Sequence, residues 1–282
     1  MTNIIACIDG SIYSQSVANL SVWAAKSLQA PLTLLHVLDK AANQTESELS
    51  GNIGLGSREQ LLKELIELDE KRSKLALRHG KALLNELETK AHEQGLQDVH
   101  KLQKHGNLLE TLLDLENEIR VLVVGKSGEV HQNDAMAVGS QLESIVRTMK
   151  SHTLVATGDF TPPQSYLLAF DGSEISQKLV DKAIKTPLLK GLECHLVMVE
   201  DNHDKASAFK AAAEKLCANG IHVVEACLSG EVHKAILQYQ QQNQLGMIVM
   251  GAFGHSKLRQ FFVGSNTTRL LAESSVPMLL IR

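Results

Sequence analysis

Short, almost wholly apolar runs alternate with stretches of helical periodicity along the whole chain. In the C-terminal portion, YLLAF (166–170), CHLVMVE (194–200), HVVEACL (222–228), MIVM (247–250) and PMLLIR (277–282) have the length and apolar density of strands. Between them apolar residues recur at helical spacing near 174–186, 204–219, 231–242 and 266–273. Runs that are apolar at both alternating positions suit strands covered on both faces, as in a parallel sheet. Five such strands alternating with four helices predict a doubly wound α/β domain, for which strand order 3-2-1-4-5 is taken. The N-terminal portion repeats the rhythm with IIACI, LTLLHVL, VHKLQ, VLVV and TLVAT.

The repeat extends to individual residues. NIIACIDGSIYSQSV (3–17) aligns with SYLLAFDGSEISQKL (165–179) at an offset of 162, which places Asp9-Gly10-Ser11 over Asp171-Gly172-Ser173. VLVVGKSG (121–128) aligns with MIVMGAFG (247–254) at an offset of 126, so the first copy carries 36 extra residues between the two anchors. They fit best at 40–75, after LTLLHVLD. The chain is therefore read as two tandem doubly wound five-stranded parallel-sheet domains, 1–157 and 165–282. Residues 158–164 join them, since Gly158-Asp159-Phe160-Thr161-Pro162-Pro163 can continue neither a helix nor a central strand.

The insertion begins polar and glycine-containing, then sets Leu61, Leu62, Leu65, Ile66 and Leu68 at helical spacing among many charges. It reads as a loop and an elongated helix that either packs on a domain or serves as a lid or partner-binding arm. Its Gly54-x-Gly56 pair lacks the third glycine and the preceding strand of a dinucleotide fingerprint.

Bulk composition narrows the setting. Of 282 residues, 44% are apolar and 21% charged, and no apolar run approaches the ~18 residues of a membrane helix. The N-terminus MTNIIACIDG lacks the basic and apolar regions of a secretory leader. These features predict a cytoplasmic protein without a membrane partner. A formal net charge of -4 argues against nucleic acid as a partner. Cys7, Cys194, Cys217 and Cys227 have no CxxC spacing and sit mostly in apolar stretches, so buried thiols are expected rather than disulfides or metal ligands. The 12 histidines show no metal-site spacing.

Ligands of doubly wound sheets bind beyond the carboxyl ends of the strands, where strand order reverses. Asp171 ends the first strand of the second half and Gly251 the fourth, which the expected order makes neighbours at that point. Glycines at 251 and 254 let backbone turn sharply or approach a ligand. Gly264-Ser265 then opens a helix at Asn266, whose first amides lack intrahelical partners and favour an anion. Ser265 and Thr267 add hydroxyls, and Lys257 and Arg259 add positive charge in the intervening loop. The same Gly-Ser is also ordinary helix capping, and the same glycines ordinary turns. His255 reads as an exposed loop residue, and Phe261-Phe262 as loop packing rather than base stacking.

The pattern GxxGx9GS at Gly251, Gly254, Gly264 and Ser265, with Asp-Gly-Ser after the first strand, resembles the nucleotide-binding signature of the universal stress protein family. The resemblance covers nearly the whole chain as two copies. It implies an adenine nucleotide alpha hydrolase-like fold and a cofactor that is ATP, ADP or AMP, with or without Mg²⁺. It also implies contacts from Asp171, Gly172, Val199, Met250, Gly251, Gly254, Gly264, Ser265, Asn266 and Thr267. In the first half Asp9, Gly125, Gly128, Gly139 and Ser140 match more weakly. There the loop is one residue longer, and its EVHQNDAMAV carries Glu129 and Asp134 without lysine or arginine, which opposes a triphosphate.

The expected function is thus a tandem universal stress protein that binds an adenine nucleotide mainly in its second half as a signal, not as an enzyme. Neither a GxxxxGK[ST] loop nor a GxSxG nucleophile motif is present, although Asp171 with Mg²⁺ could position water for slow hydrolysis. The alternative is an interaction protein that binds protein partners or an apolar ligand. A pyrophosphatase-like enzyme would want SGGxDS where this chain has DGS. Duplication also implies an internal pseudo-dimer through the fifth strands TLVAT and PMLLIR, and leaves room for a homodimer.

Overall fold

The computed structural model describes residues 2–38, 55–127, 140–199, 205–251 and 265–282. The first half contains β1 (Asn3–Cys7), α1 (Ser14–Leu28), β2 (Leu32–Leu38), α2 (Leu55–Glu93), β3 (Val99–His105), α3 (Leu108–Asp114), β4 (Ile119–Gly125), α4 (Ser140–Thr148) and β5 (His152–Ala156). The second half repeats the order with β6 (Ser165–Phe170), α5 (Glu174–Lys185), β7 (Glu193–Val199), α6 (Ala206–Ala218), β8 (Val223–Leu228), α7 (Val232–Gln242), β9 (Ile248–Gly251), α8 (Ser265–Glu273) and β10 (Met278–Ile281). Each half is parallel with the strand order expected from the sequence.

The two halves form one ten-stranded sheet, in the order β3-β2-β1-β4-β5-β10-β9-β6-β7-β8. Only the central junction is antiparallel, with Met278 opposite Val155, Leu279 opposite Leu154 and Leu280 opposite Thr153. Both joining strands are apolar on both faces and would expose a sticky edge if left alone. The strands that do lie at the edges, β3 and β8, are the more polar VHKLQKH and VVEACL. The connecting residues also pack: Phe160 sits 5.9 Å from Trp23 of α1, centroid to centroid, and the Ser16 hydroxyl donates to the Gly158 carbonyl.

Side-chain alternation along the strands divides the apolar residues between two layers. Ile4 and Ala6 of β1, Val121 and Val123 of β4 and Leu279 of β10 face α1, α2, α5 and α6. Ile5, Leu122, Val124, Met278 and Leu280 face α3, α4, α7 and α8. Each layer runs across both halves. Among the described residues no helix is long and apolar enough to cross a membrane.

Helix α2 is 39 residues long, whereas α6, its counterpart, has 13. The extra residues extend the helix at its N-terminus, because no glycine or proline interrupts the run from Gln60 to His79. The expectation of four buried thiols needs correction. Cys194 is buried and Cys7 half-buried, and burial pushes both thiols up to about 12, with the Asp9 charge adding to the effect at Cys7. Cys217 lies on the outer side of α6 and Cys227 on edge strand β8, and both are exposed.

Candidate functional site

In the second half β6 pairs with β7 on one side and β9 on the other, so the chain leaves β6 at the point where strand order reverses. Asp171 and Gly172 follow β6, Val199 ends β7, and Met250 and Gly251 end β9. These five predicted site residues therefore share the carboxyl edge of three adjacent strands. Val199 and Met250 are half-buried against the core layer that faces α3, α4, α7 and α8. An added Cβ at Gly251 would stand 3.3 Å from Cγ2 of Ile175 in α5, so the end of β9 has little room for a side chain.

The Asp-Gly-Ser turn explains its own composition. The Ser173 amide and hydroxyl donate to Asp171 Oδ1 at 3.0 and 2.6 Å. The same hydroxyl accepts from the Ser176 amide at 3.2 Å and caps α5. Gly172 between them has φ +75°, a left-handed conformation that costs other residues about 1 kcal/mol or more. Partial burial pushes the Asp171 carboxyl up, but donation from Ser173 and Ser176 and the nearby Lys205 charge outweigh it and hold the group below the usual carboxylate range. Asp171 is thus an exposed, ionised acceptor in a fixed turn.

Ser265 opens α8, with Asn266 exposed and Thr267 buried in its first turn. None of the hydrogen bonds among the described residues joins this turn to Asp171. Gly254, Gly264, the Ser265 side chain and the loop residues His255, Lys257, Arg259, Phe261 and Phe262 lie outside the described residues.

The first half builds a related turn and covers it differently. Ser11 N and Ser14 Oγ donate to Asp9 Oδ1 at 2.9 and 3.3 Å, and Gly10 has φ +83°. Gly125 closes β4 with Tyr13 above it, 3.0 Å from the position of an added Cβ, as Ile175 stands above Gly251. Gly128, Gly139 and the Ser140 side chain lie outside the described residues. Helix α2 crosses this crevice. His79 lies 3.6 Å from the Cβ position of Gly10, and an added Cβ at Gly80 would collide with Gln103 Nε2 and stand 2.8 Å from the His36 ring. His36 is buried, and burial holds its imidazole below the usual histidine range, only partly opposed by the Asp9 charge.

The universal stress protein family model matches residues 1–157 and 197–282. Universal stress protein Slr1230 of Synechocystis sp. is 34% identical over 287 residues, covering all of both chains. The chain belongs to the universal stress protein family. Among solved structures, a universal stress protein from Archaeoglobus fulgidus aligns over 99% of this chain and 98% of its own, with a TM-score of 0.74 at 19% identity. A functionally unknown protein from Pseudomonas aeruginosa aligns over 100% and 92%, with a TM-score of 0.66 at 14% identity. At these identities the structural likeness speaks for the fold of a tandem universal stress protein alone.

Two residues of this universal stress protein fold stand at the crevices without having been singled out in the sequence. Lys205, just before α6, donates from Nζ to the Asp171 carbonyl at 2.6 Å and lays its stem over Gly172, with Cδ 2.7 Å from an added Cβ. Lys126 follows Gly125 and is buried, which pushes its ammonium below the usual lysine range, with Glu273 of α8 opposing the shift. Lys126 directly follows the strand-end Gly125, and that adjacency was the available signal; nothing around Lys205 in the sequence marks its approach to Asp171.

Proposed function

We propose that this universal stress protein binds an adenine nucleotide, ATP, ADP or AMP, in the crevice of its second half and acts in the stress response through occupancy rather than turnover. The observation that carries the reading is the meeting of Asp171, Gly172, Val199 and Gly251 at the carboxyl ends of three adjacent strands. An ionised carboxylate held by Ser173 suits the hydroxyls of a ribose as an acceptor. Val199 and Met250 offer half-buried apolar surface for a base. Gly254, Gly264, Ser265, Asn266 and Thr267 would serve the phosphates, aided by the free amides that open α8.

Two features favour the second half over the first. The first crevice has α2 laid across it, with His79 at Gly10 and Gly80 against His36. Its loop also carries Glu129 and Asp134, where the second has Lys257 and Arg259. Asp9, Gly125, Gly128, Gly139 and Ser140 then form a scaffold without a phosphate partner. Mass spectrometry of ligand released from the purified chain, followed by titration with ATP, ADP and AMP with and without Mg²⁺, tests the reading. It predicts a saturable adenine nucleotide site with little hydrolysis. Absence of saturable binding would favour the interaction protein instead.

A further inference from the structure

The C-terminal part of α2 is held by the fold: Leu84, Leu87 and Ala91 are core residues, and Gly80 is buried against β2 and β3. Further toward its N-terminus the helix leaves the sheet. From 63 to 75 every residue is exposed except Leu65, which is half-buried. Leu68 and Leu75 are 54% and 64% exposed, and Ile66 on another side is 59% exposed. A helix standing alone in water loses the tertiary packing that supplies most helical stability. Leu65, Leu68, Arg72 and Leu75 follow the 3-4-3 spacing of a coiled-coil seam.

Charge is segregated along the same segment. Glu64, Glu67, Asp69 and Glu70 precede Lys71, Arg72, Lys74 and Arg78. A parallel pair of such helices would set like charges side by side. An antiparallel pair sets each acidic half against a basic half, so the segment is complementary to itself under a two-fold axis.

We propose that α2 is a self-association arm, by which two copies of this chain pair antiparallel through residues 64–78 about an axis near Glu70. In that register Leu65 meets the partner's Leu75, and Leu68 packs on the aliphatic stem of the partner's Arg72. Glu64 faces the partner's Arg78, and symmetry makes the contact twice. Asp69 and Lys71 face their own copies near the axis, so the flanking pairs supply the electrostatic selectivity. The arm is independent of the nucleotide reading, because it uses none of the second-half residues.

Sedimentation equilibrium of the full chain, a monomer of 30.8 kDa, tests the arm. The wild type is expected to form a reversible dimer, and Leu68→Glu with Leu75→Glu to remain monomeric with an unchanged far-ultraviolet spectrum. Glu64→Lys or Arg78→Glu alone turns two attractive pairs into repulsive ones and weakens dimerisation about tenfold. An equimolar mixture of those two single variants regains complementary pairs and is expected to dimerise like the wild type. A monomer at every concentration, a dimer indifferent to the two leucine changes, or a mixture no tighter than its components would overturn the proposal.

Discussion

Lys205 Nζ donates a 2.6 Å hydrogen bond to the backbone carbonyl of Asp171, and the stem of the same side chain lies over Gly172. One residue thus fastens the start of α6 to the turn that ends β6. It also brings a positive charge to the mouth of the proposed nucleotide crevice. Replacing Lys205 with Met keeps much of the stem and removes the charge. The expected result is threefold to tenfold weaker binding of ATP, about 1 kcal/mol as for a partly screened charge, with adenosine affinity nearly unchanged. Calorimetric titration with both ligands checks the contrast.

Ser173 has two tasks, capping α5 and donating to Asp171. Ser173→Ala should therefore cost about 1 kcal/mol of stability at neutral pH, the usual value of a lost N-cap. It should also raise the Asp171 pKa toward the ordinary carboxylate value, because the 2.6 Å donor is gone. A carboxyl held low in the fold contributes stability that is complete above its unfolded pKa and fades as pH falls through its folded value. Urea unfolding at pH 7 and 3, with carbon-detected titration of Asp171, should show a smaller acid-sensitive contribution in the variant.

His36 carries the opposite protonation preference. It is buried beneath α2, and among the described residues its Nδ1 has no hydrogen-bond partner. Burial lowers its folded pKa, with Asp9 opposing and His79 reinforcing the shift. The unfolded chain therefore takes up the proton first, and stability should decline as pH falls below about 6.5, the ordinary histidine value. His152 is lowered by burial and by Lys182 and acts in the same direction. Met198 occupies the matching position on β7. His36→Met should raise stability at pH 5.5 more than at pH 7.5, measured as a shift in urea midpoint; equal shifts at both values would count against this account.

Much of the architecture was legible because VLVV, LVMV and MLLI admit little other than strands buried on both faces. The Asp-Gly-Ser turn was likewise readable from Asp171 to Ser173, since each residue meets a local need. Tertiary placement was less so. Lys205 sits in HDKASAFK, which reads only as the start of a helix, and its bond to Asp171 depends on how α6 docks. His36 falls within LTLLHVL and reads only as a strand residue until Gly80 is laid against it. The apolar surroundings of Cys217 and Cys227 suggested burial, but helix face and sheet edge decided their exposure. The duplication pointed to the fifth strands as the contact between the halves, and Leu154 lies opposite Leu279 there; that the contact is an antiparallel pairing that makes one continuous sheet was not readable, because it depends on how the two edges meet.

The central claim is that one half of the duplicated scaffold is competent for nucleotide. Isothermal titration of the intact chain with Mg-ATP tests it most directly, compared with Asp171→Ala and Asp9→Ala. The account predicts one ligand per chain in the wild type and in Asp9→Ala, and at least tenfold weaker binding, about 1.4 kcal/mol, in Asp171→Ala. Two ligands per chain, none at all, or binding lost in Asp9→Ala and kept in Asp171→Ala would contradict it.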